Sequence, residues 1–478
     1  MATQNFSIEK SPLWKDISKI MGSEVKDTFS SYTATIHTAV EDYSVLFLQQ
    51  IDILRDYGAN IGDVTFATFQ LTFGDYVLRF YPFINNLELT ITQYYLNKAN
   101  STNKNNNKNK QRYKMVFLPH ENLHVNLSEF QSMDKMTLDH LDIVTVKVQL
   151  LSRVLEPLRI IFTSGIYQKV KQETLLRTVI GKESQAVLVD GKPCLDSIDI
   201  YPPDNTDIQQ HIIIPNQTLV VSLPTFLQEK MNGVYSSGIG SYLQNYNSKN
   251  TWFIYPLYNT SRYLTDKTNS SKAVFYFIPA YRYGGIDNTY RVDGNKIDIL
   301  CTSDKKYVDD GDTRYMNEGV GFVQADARAF MGKPVVMSEK GPKGNPARLT
   351  TFAANTSRDD GLNYTPSTGV GISSNPFVQY SIITKRNVST IQISWEHSDN
   401  TLIYPGMPCE FVYLEDGKRK SIYGVIAKVQ SFIYKTNKGA LTANYLQNTS
   451  ILIYAQRTPK TTQVPAQPAT GGLGVSAF

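Results

Sequence analysis

The feature that most restricts the fold of this chain is the run of alternating segments between residues 377 and 455. Strand patterning at 377–384, 389–396, 409–415, 421–434 and 441–455 is punctuated by turns at Pro405-Gly406, Asp416-Gly417 and Lys438-Gly439. Within it, Val425, Ala427 and Val429 are expected on one face, with Ile426, Lys428 and Gln430 on the other. Short strands at this spacing predict a compact antiparallel barrel. A second alternating stretch begins near Ala34. Leu46, Leu48 and Gln50 oppose Phe47, Gln49 and Ile51, and Leu87, Leu89, Ile91 and Gln93 repeat the pattern. Gly58, Gly62, Gly74 and Asn85-Asn86 serve as its turns. Further strands are expected at 113–118 and at 143–151, where Val144, Val146, Val148 and Leu150 share a face.

Between these blocks the texture is mixed. Residues 168–181 (QKVKQETLLRTVIG) predict a helix ended by Gly181, and 222–231 (SLPTFLQEKM) a second, capped by Ser222 with Pro224 in its first turn. Aromatic strands follow at 251–258 and 273–281. The chain therefore divides into an N-terminal arm with one short helix (1–33), a strand block (34–167), a helix with a mixed α+β region (168–337), a long surface connection (338–376), the C-terminal strand block (377–457) and a Pro/Thr/Ala/Gly tail expected to be disordered (458–478). The Asn/Lys run at 100–111 predicts a solvated hairpin loop, flexible over 98–112, since it offers no aromatic ring to stack a base.

Composition narrows the function classes. A net charge of +5 over 478 residues is too small for a nucleic-acid binder, whose basic residues cluster on one face. Three cysteines, Cys194, Cys301 and Cys409, are too few and too scattered for a disulfide framework or a CxxC zinc knuckle. The start MATQNFSIEK has no signal-peptide pattern, and no stretch reaches the ~20 apolar residues of a membrane helix. Tyr (30) and Phe (22) are abundant while charged residues are 19%, a balance that suits strands and broad contact surfaces.

One catalytic spacing stands out. His120-Glu121-Asn122-Leu123-His124 matches H-E-x-x-H, which binds zinc when two histidines sit one helical turn apart with the Glu as general base. Strand texture on both sides argues against the helix, and in a strand the two rings would lie ~13 Å apart. A third ligand is missing as well, Glu156 being only a distant candidate. His120, Glu121 and His124 are thus weak metal candidates, and no cofactor is expected. Asp309, Asp310, Asp312 and Glu318 lack EF-hand spacing. The glycines of GIGS (238–241) and GVGIS (369–373) lack the G-x-G-x-x-G setting of a phosphate cradle. The residues point to a non-enzyme.

The segments LIYPGMPCEFVYL, YGVIAKVQSFIYKTNKGALTANYL and TSILIYA, between 402 and 455, resemble the second tube-type barrel of central baseplate hub proteins from contractile-tailed bacteriophages. The early strands, the helix at 168–181 and SLPTFLQEKMNGVY followed by aromatic strands resemble the same family. The resemblance implies a β-rich α+β chain in which 34–167 and 377–457 are two tail-tube-like antiparallel β-barrels flanking an inserted α+β region. It also implies a homotrimer, whose six barrels would ring the tail axis and join the tail tube to the central spike. Such a protein would be part of the virion baseplate, assembled in the host cytoplasm. Its partners would be tube, spike and other baseplate proteins, with DNA only passing through. Another tail part, such as a tube initiator or wedge protein, and a tail-associated zinc protease or glycan hydrolase are the alternatives.

Overall fold

The computed structural model describes residues 12–23, 30–95, 108–122, 143–266, 270–279, 288–302, 322–324, 349–351, 377–378, 381, 384–385, 388–415, 418–435 and 445–456. The first strands are β1 (Ser30–His37), β2 (Asp42–Ser44), β3 (Phe47–Asp56), β4 (Val64–Thr72), β5 (Glu88–Tyr95), β6 (Lys108–Phe117) and β7 (Ile143–Ser152). The middle of the chain contributes β8 (Phe162–Val170), β9 (Leu188–Val189), β10 (Lys192–Pro193), β11 (Ser197–Ile200), β12 (Gln209–Leu219), β13 (Ile239–Tyr246) and β14 (Lys249–Pro256). Then come β15 (Lys272–Phe277), β16 (Tyr290–Asp293), β17 (Lys296–Cys301), β18 (Phe322–Gln324) and β19 (Leu349–Thr351). The last are β20 (Val388–Trp395), β21 (Pro408–Glu415), β22 (Lys418–Lys435) and β23 (Tyr445–Gln456).

The molecule is β-rich, with one large mixed sheet whose hydrogen bonds return on themselves twice. From β22 the pairing runs through β3, β4, β7, β6, β5, β1 and β23 back to β22. It also runs from β22 through β21, β15 and β17, crosses to β20 by the bridge between Thr302 and Ser394, and returns through β23. Each ring has its own apolar core. Ile36, Phe69, Leu89, Val146, Val148 and Ile433 fill the first; Phe275, Ile299, Trp395, Ile422, Ile426 and Ile453 fill the second.

These pairings cut across the expected division. The first ring draws its closing strands from the C-terminal block, and the second draws β15 and β17 from the region placed in the insert. The second ring is also not wholly antiparallel, because β15 pairs in parallel with both β17 and β21. Residues 377–378, 381 and 384–385 are helical rather than extended. β1 begins within the expected arm, and β6 takes in the last four residues of the Asn/Lys run, Lys108 standing opposite Tyr94.

In β3 and β22 strict alternation fails for one reason. In β22, Ile422 and Ile426 face the second core, and Val429 and Ile433 still face the cores after a register shift between Ile426 and Lys428. The extra residue at the bulge, Ala427, flips the parity while keeping the apolar face inward. A similar shift between Leu48 and Gln50 brings Leu48 and Ile51, three apart, into the first core. The faces predicted by straight alternation at 425–430 and 46–51 are corrected accordingly. Leu87, Leu89 and Ile91, like Val146, Val148 and Leu150, need no such shift and line the core as expected.

A third core belongs to the middle region. The helices Gln172–Ala186 and Leu223–Lys230 bury Leu176, Ile180 and Leu227 against the sheet β11–β14–β13 and the ribbon β8–β12. The first helix is displaced from 168–181 because Gln168 and Val170 pair with His211 and Gln209, and Gly181 lies inside it. The second agrees with the sequence in extent, with Pro224 in its first turn, but Ser222 does not cap it: its hydroxyl donates backward to the carbonyl of Leu219. The N-terminal helix Trp14–Met21 lies on the outer side of β15, β17 and β21, where Ile17 and Ile20 meet Val274, Leu300 and Val412. β18 and β19 form a parallel pair, so Leu349–Thr351 is extended within the expected connection. The rest of 338–371 and the tail 458–478 lie outside the described residues.

Candidate functional site

The H-E-x-x-H segment supplies no helix of useful length. Pro119–Asn122 is one turn of 3-10 helix, neither the strand expected there nor an α-helix. His120 is exposed, and Glu121 is bound to Lys147 at 2.9 Å, whose hydrogen bond and charge hold the Glu121 carboxyl below its usual range. Asn122 is the buried member. Its amide donates to the carbonyls of Leu118 (2.7 Å) and Lys147 (2.9 Å), and its oxygen accepts from Lys147 N–H (2.8 Å), which clamps the turn to β7. His124 lies outside the described residues. Glu156 is engaged by Lys114 at 2.8 Å. Among the described residues no cluster of His, Cys, Asp and Glu is arranged to hold a metal ion.

The other motifs resolve into packing or lie beyond description. Gly240 and Gly406 both face the ring of Tyr255, and a Cβ on either would come within 2.5 Å of it. Gly406 also has φ +65°, so its turn favours glycine twice over. Tyr255 in turn donates to the carbonyl of Tyr57 at 2.8 Å. Residues 369–373, Asp309, Asp310, Asp312 and Glu318 lie outside the described residues. The three thiols are free and buried, and burial pushes Cys194 up to about 11 and raises Cys301 and Cys409 as well. None is an activated nucleophile.

Two arrangements remain that position the parts of the molecule. The first is a polar layer between the two ring cores. Ser431, Thr449 and Ser398 are buried and linked hydroxyl to hydroxyl at 3.0 and 2.6 Å. Beside them Arg55 donates to Asp63 (3.2 Å) and to the carbonyl of Asn400 (2.9 Å). Asp63 also accepts from Tyr242 (3.0 Å), and Tyr57 donates to Gln244 (3.2 Å), which reaches the carbonyl of Ile403 (2.8 Å). The first ring, the middle region and the C-terminal block therefore meet in one network. Burial opposes the Arg55 charge, but Asp63 together with Tyr57 and Tyr242 more than offsets it and keeps the guanidinium above its ordinary pKa. Burial also pushes the phenols of Tyr57 and Tyr242 up.

The second is the outer face that both rings share. Ser394, Ser450, Gln430, Leu54 and Val64 stand in one cross-strand row. Asn448, Phe432, Asp52, Phe66 and Gln149 form another, and Leu446, Tyr434, Gln50, Thr68 and Lys147 a third. A fourth row, Gln392, Leu452, Lys428 and Asp56, completes a half-exposed band from β20 to β7. Charges are sparse on these rows. Lys428 lies 3.9 Å from Asp56, Lys147 is held by Glu121, and Asp52 accepts from Gln50. Asn448 and Gln392 are tied to Tyr434 and Ser450 (both 3.1 Å), so much of the band is a network of neutral amides and hydroxyls.

The chain matches no protein-family model and no curated protein. Solved structures do resemble it. A tail protein from Neisseria meningitidis MC58 is similar at 9% identity, over 89% of this chain and 96% of that one, with a TM-score of 0.41. The 43 kDa tail protein of prophage MuSo2 from Shewanella oneidensis is similar at 9% identity, over 88% and 98%, also at 0.41. A component of the E. coli type VI secretion system is similar at 7% identity, over 88% of this chain and 77% of its own length, again at 0.41.

The sequence pointed to none of the junction residues. Arg55 and Asp63 read as ordinary surface charges eight positions apart, and only the register of β3 turns the guanidinium inward. No periodic signal marks them, since the bulge at Gln49 reverses the parity of the rest of β3. No helix among the described residues is long and apolar enough to cross a membrane.

Proposed function

We propose that this chain is a structural subunit of a phage tail, the baseplate hub that joins the tail tube to the central spike. The observation that carries the reading is the double ring. Two closed circuits of strands, each with its own core, are built on one long hairpin, β22–β23, and present one continuous outer face. In this reading the two rings are the tube-like barrels, and the middle region of two helices and short sheets is the insert between them. Residues 34–167 and 377–457 supply most of the barrels, with β15–β17 joining the second. Three copies would then place six barrels around an axis.

The sparsely charged band, whose few charged side chains are each engaged by a neighbour, gives that ring a conduit. A polyanion is held by basic side chains and their released counterions, so a lining mainly of neutral polar and apolar side chains, with its two lysines already engaged by Asp56 and Glu121, lets DNA pass without binding it. Passing DNA, the tube protein, the spike and other baseplate proteins are the partners, and the virion tail is the location. The chain is not an enzyme in this reading, and His120, Glu121 and His124 hold no metal.

Electron microscopy of the purified protein, alone and mixed with the tube and spike proteins of its own phage, tests the proposal. A threefold ring with a central opening is the expected particle. Particles without threefold symmetry in every mixture rule the hub out and leave a tube-initiator or wedge role.

A further inference from the structure

Two exposed apolar patches of opposite charge lie on different parts of the chain. The first is the outer face of the ribbon β8–β12. Ile166 stands directly opposite Ile213, and the two are 67% and 53% exposed. Phe162, on the same side of β8, is 57% exposed, and Ile160 just before the strand is 73% exposed. Their neighbours Ile212 and Ile214 point into the core, so the ribbon has one apolar face inward and another outward. Among the described residues β8 and β12 pair only with each other. Exposed Arg159, Lys169 and Lys171 lie in or beside β8, against exposed Asp207 just before β12 and Glu173, which is already held by Arg177.

The second patch is on the first ring. Val40 (76% exposed), Leu78 (61%) and Tyr81 (42%) come from the turn before β2 and from the helical segment after β4. Arg79 ties the two together by reaching Glu41 and Asp75, each at 3.0 Å. Here three acids, Glu41, Asp42 and Asp75, outnumber that one arginine.

We infer that these patches are the two halves of one contact between copies of this chain, the ribbon of one copy seating on Val40, Leu78 and Tyr81 of the next. Single exposed apolar residues are ordinary, but contiguous groups of them mark interaction surfaces. A ribbon pairing with its own twin would bring Arg159, Lys169 and Lys171 against the same three cations, whereas the acidic patch neutralises them. A contact between two different patches repeats head to tail and forms a ring when the rotation closes. The inference rests on the homotrimer reading and names the surfaces that would build it.

The test uses Ile166→Glu, which damages the ribbon patch, and Leu78→Lys, which damages its acidic counterpart. Both side chains are exposed, so circular dichroism of each variant is expected to match the wild type. By sedimentation, each variant alone self-associates at least ~10-fold more weakly, the scale of one centrally placed interface residue. Mixed in equal amounts, they form a discrete heterodimer, because each retains the half the other lacks. A wild-type trimer unaffected by either substitution overturns this contact and leaves the hub reading standing. Failure of the mixture to pair, with both variants monomeric, also overturns it. A wild-type chain that is monomeric at every concentration, even with tube and spike proteins present, removes both.

Discussion

Arg55 and Asp63 meet where three stretches of chain converge, and they are not equal partners. The Arg55 side chain is almost wholly buried, while a quarter of the Asp63 side chain still reaches solvent. Removing the carboxylate strands a buried cation, whereas removing the guanidinium leaves an acid that retains Tyr242 and some water. Asp63→Ala is therefore expected to cost ~3–5 kcal/mol of unfolding free energy and Arg55→Met markedly less. Urea titrations of the two variants decide it, and equal losses would mean that the pair acts only as ordinary packing. The same asymmetry explains why Tyr57, Tyr242 and Gln244 are arranged around the pair. Each satisfies a buried polar group that would otherwise be left without a partner.

β22 passes from one ring to the other, and the bulge at Ala427 is where it does so. Before the bulge the strand lies between β21 and β23; after it, between β3 and β23. The Ala427 carbonyl also accepts from Tyr57 N–H at 3.0 Å, tying the crossing to the loop after β3. Deleting Ala427 restores plain alternation but removes that hydrogen bond and the added twist, so the hairpin no longer serves both rings without strain. A loss of at least ~2 kcal/mol in thermal unfolding is expected, against a few tenths for Lys428→Ala on the outer face. An unchanged melting temperature for the deletion would show that the bulge is incidental. This element also marks the limit of what could be read from residues alone. Strands with uniform parity, such as Leu87–Ile91 and Val146–Leu150, are legible because burial follows sequence position directly. A bulge hides from alternation, since Val425 and Ala427 are buried along with Ile426. Partners distant in sequence are equally hidden. Nothing in the composition of Lys272–Phe277 tells that it pairs in parallel with Cys409 and its neighbours rather than joining the middle region.

The shared hairpin makes the two rings one folding unit. The first ring takes six of its strands from residues 30–152, but its circuit closes only through β22 and β23, where Lys428 pairs with Asp56 and Tyr445 with Ser30, 372 and 415 residues apart in sequence. Ile433 and Tyr445 from that hairpin lie in its core, and Tyr445 donates to the carbonyl of Leu48. A fragment limited to the first strand block would leave β3 with an unpaired edge and the core open on one side, a state prone to aggregation. Residues 30–167 expressed alone are therefore expected to lack a cooperative thermal transition and to bind a hydrophobic dye. Adding a chain that spans 388–456 should restore part of the missing structure, because the strands it carries are the ones the first circuit lacks. The full-length protein should instead lose both ring cores together, in a single unfolding transition followed through Trp395 in the second core and isotope-labelled Phe69 in the first. A 30–167 fragment that folds cooperatively by itself would mean that the first ring closes on its own strands, and the hairpin would then join two independent domains rather than make them one.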